Sequence, residues 1–150
     1  MEIASFDGYV VDTERLLRSV ARIVRKRGRD ILAAFEITPP QLDALLHLRE
    51  SGDLTMGELC QKMYLACSTA TDLSDRMERT GLIVRQRDTT DRRVVRLHIT
   101  ERGDDIISQV MQARREYLRT IVTKMDDDDK QRLIDALGQI HTLMTDERVK

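Results

Sequence analysis

A chain of 150 residues can build one domain with a real core, but it is too short to add a catalytic domain of ordinary size to a binding module. Hydrophobic residues make up 41%, charged residues 34% and aromatic residues 3%, a balance that favours helices packed on Leu, Ile, Val and Met. The formal net charge is −1, so any attraction for a polyanion has to come from a local cluster of Lys and Arg.

The first segment, 12–35, repeats apolar residues at Leu16, Leu17, Val20, Ile23, Val24, Ile31 and Phe35, the spacing of a long amphipathic helix. Its many arginines, among them Arg15, Arg18 and Arg22, read as a solvated face rather than a second polyanion surface, because they are spread around the helix. Thr38-Pro39-Pro40-Gln41 then restarts a helix: Thr38 can cap, Pro39 suits the first helical position, and Gln41 can close a capping box. Thr55 and Glu58 repeat that pattern ahead of Leu59, Cys60 and Met63.

A turn near Tyr64-Leu65-Ala66 leads into a fourth helix with Ala66, Ala70, Leu73 and Met77 on one face and Ser68, Thr69, Thr71, Asp72 and Asp75 on the other. Gly81 supplies its stop. The period then changes to that of two strands, 82–87 and 94–99, joined by a polar loop. Two more helices follow Thr100, divided by Asp126 to Asp129, which suit a helix N-terminus better than a metal.

The centre of this order reads as a helix-turn-helix followed by a wing. In such a unit the second helix lies in the major groove and needs short hydrogen-bonding side chains near its start, as Ser68, Thr69 and Thr71 are. Arg85, Arg87, Arg92, Arg93 and Arg96 put five arginines into twelve residues against Asp88 and Asp91, which is the local basic patch.

The stretch 88–103, Asp88-Thr89-Thr90-Asp91-Arg92-Arg93 through Thr100-Glu101-Arg102-Gly103, resembles the wing signature of the MarR (multiple antibiotic resistance regulator) family. Ala70-Thr71-Asp72-Leu73-Ser74-Asp75-Arg76 resembles that family's recognition helix, and the element order is similar over nearly the whole chain. The resemblance implies a mainly α fold with a small β-hairpin wing. In it, residues 1–36 and 101–150 form dimerisation helices around a winged helix-turn-helix at 37–100. It also implies a homodimeric transcriptional regulator, a repressor, on a palindromic double-stranded operator, released by a small-molecule or thiol-reactive effector. The expected DNA contacts are Thr38, Thr55, Ser68, Thr69, Thr71, Asp72, Arg76, Arg85, Arg87, Thr90, Arg92 and Arg93.

Two positions depart from the family pattern. Asp72 stands where the resemblance implies an arginine; it either accepts from a cytosine amino group or pairs with Arg76. Ala66-Cys67 replaces a Ser-Pro pair at the helix start. Cys67 is a candidate thiol sensor, since a positive helix end favours a thiolate; the alternative is a small residue filling a tight turn. Cys60, on its helix's apolar stripe, reads as core.

Other classes find little support. There is no glycine-rich cofactor loop and no nucleophile with a partner base, so no enzyme and no cofactor are expected. The two cysteines lack a zinc spacing, and His47, His98 and His141 are isolated, so no metal is expected. No apolar run approaches the roughly 20 residues of a membrane span, and Met1 to Ser5 lack the start of a leader. A cytoplasmic, nucleoid-associated protein is the expectation. The competing reading is a winged-helix protein-interaction module without DNA binding, to which the acidic Asp72 and Asp75 give some support.

Overall fold

The computed structural model describes residues 6–147. Met1 to Ser5, from which the leader was judged, and the extreme ends of the two expected dimerisation segments lie outside them. Helix α1 covers Phe6–Ala34 and begins almost two turns before the segment read from the sequence. The added turns hold Tyr9-Val10-Val11, a short apolar run without helical spacing, and these side chains are exposed. The helix ends where Glu36 takes a left-handed φ of 56° and the Ile37 N–H donates back to the Leu32 carbonyl at 3.1 Å.

Helix α2, Pro39–Ser51, starts as its sequence implies. The Gln41 N–H donates to Thr38 Oγ1 at 3.4 Å, and the Thr38 N–H donates to Gln41 Oε1 at 3.1 Å, completing the capping box. Strand β1, Leu54–Thr55, precedes helix α3, Met56–Met63. Thr55 Oγ1 accepts from the Glu58 N–H at 3.1 Å, but Glu58 does not return the bond among the described residues. Thr55 also belongs to β1, where it stands opposite Arg96.

Helix α4 spans Cys67–Arg79 and buries Ala70, Ser74 and Met77; Ala66, expected on that buried face, is the exposed N-cap. Strands β2, Ile83–Arg87, and β3, Val95–Ile99, pair antiparallel with Ile83 opposite Ile99 and Arg87 opposite Val95. The wing is therefore more than the expected hairpin: β1 adds to the other edge of β3, with Leu54 opposite Leu97, in the order β1-β3-β2. Helices α5, Glu101–Val122, and α6, Asp127–Glu147, complete the chain. Asp126 Oδ1 accepts from the Asp129 N–H at 2.8 Å, so the acidic run caps α6.

The chain divides into two compact units, the first ending at Met111 and the second starting at Gln112. The first holds a core built on Leu45, Leu48, Leu59, Met77, Leu97 and Ile107. Gly103 permits a close approach there: a Cβ at this position would stand 2.3 Å from the Leu82 carbonyl oxygen and 2.9 Å from Ile99 Cγ1. Thr100 reinforces the same junction, its hydroxyl donating to the Gly81 carbonyl at 2.6 Å and accepting from the Gly103 N–H at 3.1 Å. In the second unit α6 has no buried residue, and Leu133, Ile134, Leu137, Leu143 and Met144 are exposed. Among the described residues no helix is long and apolar enough to cross a membrane.

Candidate nucleic-acid interface

Helix α4 begins without a side-chain cap, because Ala66 offers no oxygen. Ser68 and Thr69 in its first turn are exposed, and their hydroxyls make no hydrogen bond among the described residues. Thr71 is differently placed: its hydroxyl donates to the Cys67 carbonyl at 2.8 Å, so one of its hydrogen-bonding directions is already used by its own helix. Asp72 and Arg76 are both exposed, and no ion pair joins them. The Asp72 carboxylate, without an ion pair among the described residues and on the same helix as the exposed Ser68 and Thr69 hydroxyls, can accept from a base-edge amino group.

The arginines of the wing separate into two kinds. Arg85 is a strut: its Nη2 reaches Asp75 Oδ1 at 2.5 Å and Glu78 Oε1 at 3.3 Å, and its backbone N–H donates to Glu78 Oε2 at 3.0 Å. Strand β2 is thereby tied to α4, and the Arg85 N–H and guanidinium hold the Glu78 carboxyl below the usual carboxylate range. Arg96 Nε pairs with Asp88 at 3.1 Å; that guanidinium, followed by the Asp91 N–H, lowers the Asp88 carboxyl. Arg87 Nη1 donates to the Arg92 carbonyl at 3.3 Å.

The loop itself is stiffened from within. The Asp91 N–H donates to Asp88 Oδ2 at 3.2 Å, the Arg93 N–H to Asp91 Oδ1 at 3.1 Å, and the Asp88 N–H to the Val94 carbonyl at 2.8 Å. Arg93 pairs with Asp91 at 3.3 Å while its side chain stays 93% exposed. Arg92 is exposed and has no ion pair among the described residues. Thr90 is exposed on the same loop.

Thr38 and Thr55 have a hydroxyl acceptor engaged as a helix cap, which leaves the proton of each to donate. Thr55 and Cys67 line one groove between α3 and α4. Sequence reasoning missed Glu78, the partner that takes Arg85 out of the free basic patch, because spacing across a helix-to-strand turn has no periodicity. It also missed Tyr64, 96% exposed at a left-handed φ of 53° in the turn before α4. A positive φ at a non-glycine residue leaves no mark in composition.

The MarR family profile matches residues 37–95, the segment from α2 to the start of β3. Over 121 residues the chain is 49% identical to an uncharacterized HTH-type transcriptional regulator of Bacillus subtilis, YsmB, covering 81% of this chain and 83% of that protein. The chain belongs to the MarR family. A MarR family protein from Bacillus stearothermophilus has a similar solved structure, with a TM-score of 0.85 and 44% identity, covering 95% of this chain and 99% of that one. The B. subtilis HTH-type transcriptional repressor MdtR is 26% identical over 125 residues, 83% of this chain and 81% of that protein. This MarR family member is a DNA-binding transcriptional regulator and not an enzyme.

Proposed function

We propose that this regulator works as a homodimeric repressor of a palindromic operator. In this reading α4 enters the major groove with Ser68, Thr69, Thr71 and Asp72 toward base edges and Arg76 toward the backbone. Arg92 and Arg93 enter or flank the adjacent minor groove, with Arg87 and Thr90 supporting the loop and Thr38 and Thr55 donating to phosphates. Arg85 sets the angle between helix and wing rather than holding DNA. The observation that carries the reading is the coexistence of the exposed Ser68 and Thr69 hydroxyls on α4 with an exposed Arg92 on the wing that has no ion pair among the described residues, α4 and β2 being joined through Arg85.

Residues 37–100 form the reading domain in this proposal, and 1–36 with 101–150 form the dimerisation helices. Support comes from exposed apolar side chains on α1, including Leu16, Val20, Ile23 and Val24, and separately from those on α6. One chain offers one reading helix, whereas a two-fold pair meets half-sites about 34–36 Å apart. A cytoplasmic protein associated with the nucleoid and released by a small-molecule or thiol-reactive effector completes the reading.

Selection of bound duplexes from a random pool tests it. The expected product is an inverted repeat whose affinity falls steeply with salt as counterions are released. A pool with no enriched sequence would refute the reading and favour a protein-interaction module.

A further inference from the structure

We propose that Arg22, Arg25 and Arg29 on α1 form a second DNA contact, a clamp on the phosphate backbone of the duplex that α4 reads. The proposal rests on DNA binding and not on the homodimer or the palindrome.

Helix α1 is unbroken from Phe6 to Ala34, and this fixes where its cations stand. Between Arg15 and Arg29 the chain has seven Lys and Arg residues and no Asp or Glu. Arg15, Arg18, Arg22, Arg25 and Arg29 recur at alternating intervals of three and four, so at about 3.6 residues per turn they fall within about 80° of the circumference. One exposed stripe replaces the scatter around the helix expected from the sequence. It is centred about half a turn from Leu16, Val20, Ile23 and Val24, so a cover on that apolar face leaves the guanidinium groups in solvent.

The stripe has a paired and an unpaired part. Arg15 reaches Asp12 at 3.3 Å and Arg18 reaches Glu14 at 2.7 Å, while the flanking Lys26 reaches Asp30 at 3.4 Å. Arg22, Arg25 and Arg29 have no ion pair among the described residues. Three like charges on successive turns, about 10 Å from first to last, repel one another unless an anion lies along them. One DNA strand supplies a negative charge for about every 3.4 Å of helix axis, so roughly three phosphates match the three arginines.

The reading surface is short of free cations. Helix α4 carries Asp72, Asp75 and Glu78 against Arg76 and Arg79, so the element placed in the groove is net acidic. On the wing, Arg85 and Arg96 are already paired with carboxylates. The stripe is held firmly to this surface: Leu32, three residues beyond Arg29, is buried in one core cluster with Leu45, Leu59 and Met77 of α2, α3 and α4. Ile31 and Phe35 pack against the same cluster. Arg29 thus keeps a fixed distance from α4, as a contact to the same duplex demands. That tie and the charge match favour DNA over an acidic protein as the occupant.

The test compares the full chain with a variant carrying Arg22→Gln, Arg25→Gln and Arg29→Gln together. Fluorescence anisotropy across a salt series is read on the selected duplex and on one of random sequence. The slope of log affinity against log salt should fall by about two to three on both, with base preference kept. Affinity should drop on the order of a hundredfold at about 0.1 M salt, the gap narrowing as salt rises. Arg132→Gln, which removes an exposed charge from α6, should leave the slope unaltered. Helical signal and sedimentation should match the parent chain. An unchanged slope in the triple variant would make the stripe a solvated face and overturn the proposal. So would a loss of affinity that follows loss of a two-chain species, which would assign the arginines to a contact between copies. Capture of a second labelled duplex by the parent's complex would also overturn it, by placing a different DNA on α1. A parent chain without sequence preference would defeat the operator reading, and the slope on the random duplex would still decide the clamp.

Discussion

Arg92 has an exposed guanidinium and no carboxylate partner among the described residues, whereas Arg85 and Arg96 spend theirs on Glu78, Asp75 and Asp88. Net basic charge on the wing is thus concentrated at the loop, where phosphate or a narrow minor groove can meet it. Arg92→Ala should weaken binding to all duplexes and lower the salt slope by about one, as measured by fluorescence anisotropy across a salt series. Ser68→Ala should leave that slope alone and change base preference, at about 1–3 kcal/mol for a well-formed base contact. Gly103 governs stability instead. Because its Cβ would meet the Leu82 carbonyl, Gly103→Ala should cost about 1–3 kcal/mol in denaturant unfolding, with the contact forcing α5 away from β2.

Between elements, the joint of α4 with β2 and the hold on the wing loop depend on carboxylates whose ionised forms are favoured in the fold. Glu78 is lowered by the Arg85 N–H and guanidinium, and Asp88 by Arg96 and the Asp91 N–H. A lowered folded-state pKa means stabilisation that is complete above the unfolded value of about 4 and is lost as pH falls through that region. Thermal melts between neutral and acid pH should therefore show a smaller acid loss in Glu78→Gln than in the parent chain. These joints were not legible in the sequence. Five arginines within twelve residues could be counted, but which of them faced a carboxylate depended on the register of β2 against β3 and on the turn after α4. What was legible were features with local causes: the cap of α2 at Thr38, the stop at Gly81, the acidic start of α6. Strand β1 escaped because two residues carry no period, and Leu54 pairs with Leu97, forty-three positions away. The first turns of α1 escaped because Tyr9-Val10-Val11 breaks the helical rhythm.

For the whole molecule, the sequence showed long apolar faces on the terminal helices without showing what covers them. On α1 Val20 is 54% and Ile23 49% exposed, and on α6 Ile134 is 63% exposed, more than single scattered surface residues would present. A second copy covers them in the proposed assembly. Ile23→Glu should then shift the sedimenting species from two chains to one while far-ultraviolet circular dichroism keeps its helical signal. Binding of the palindrome should weaken in parallel, because each lone chain reads only one half-site. Hydroxyl-radical footprinting on the selected duplex is the most direct measurement of the central claim, that paired chains apply α4 and the Arg92 loop to two half-sites. The account predicts two protected patches related by two-fold symmetry about one helical turn apart, with minor-groove protection at their flanks that disappears in Arg92→Ala. A single asymmetric patch, or flanking protection indifferent to Arg92, would contradict it.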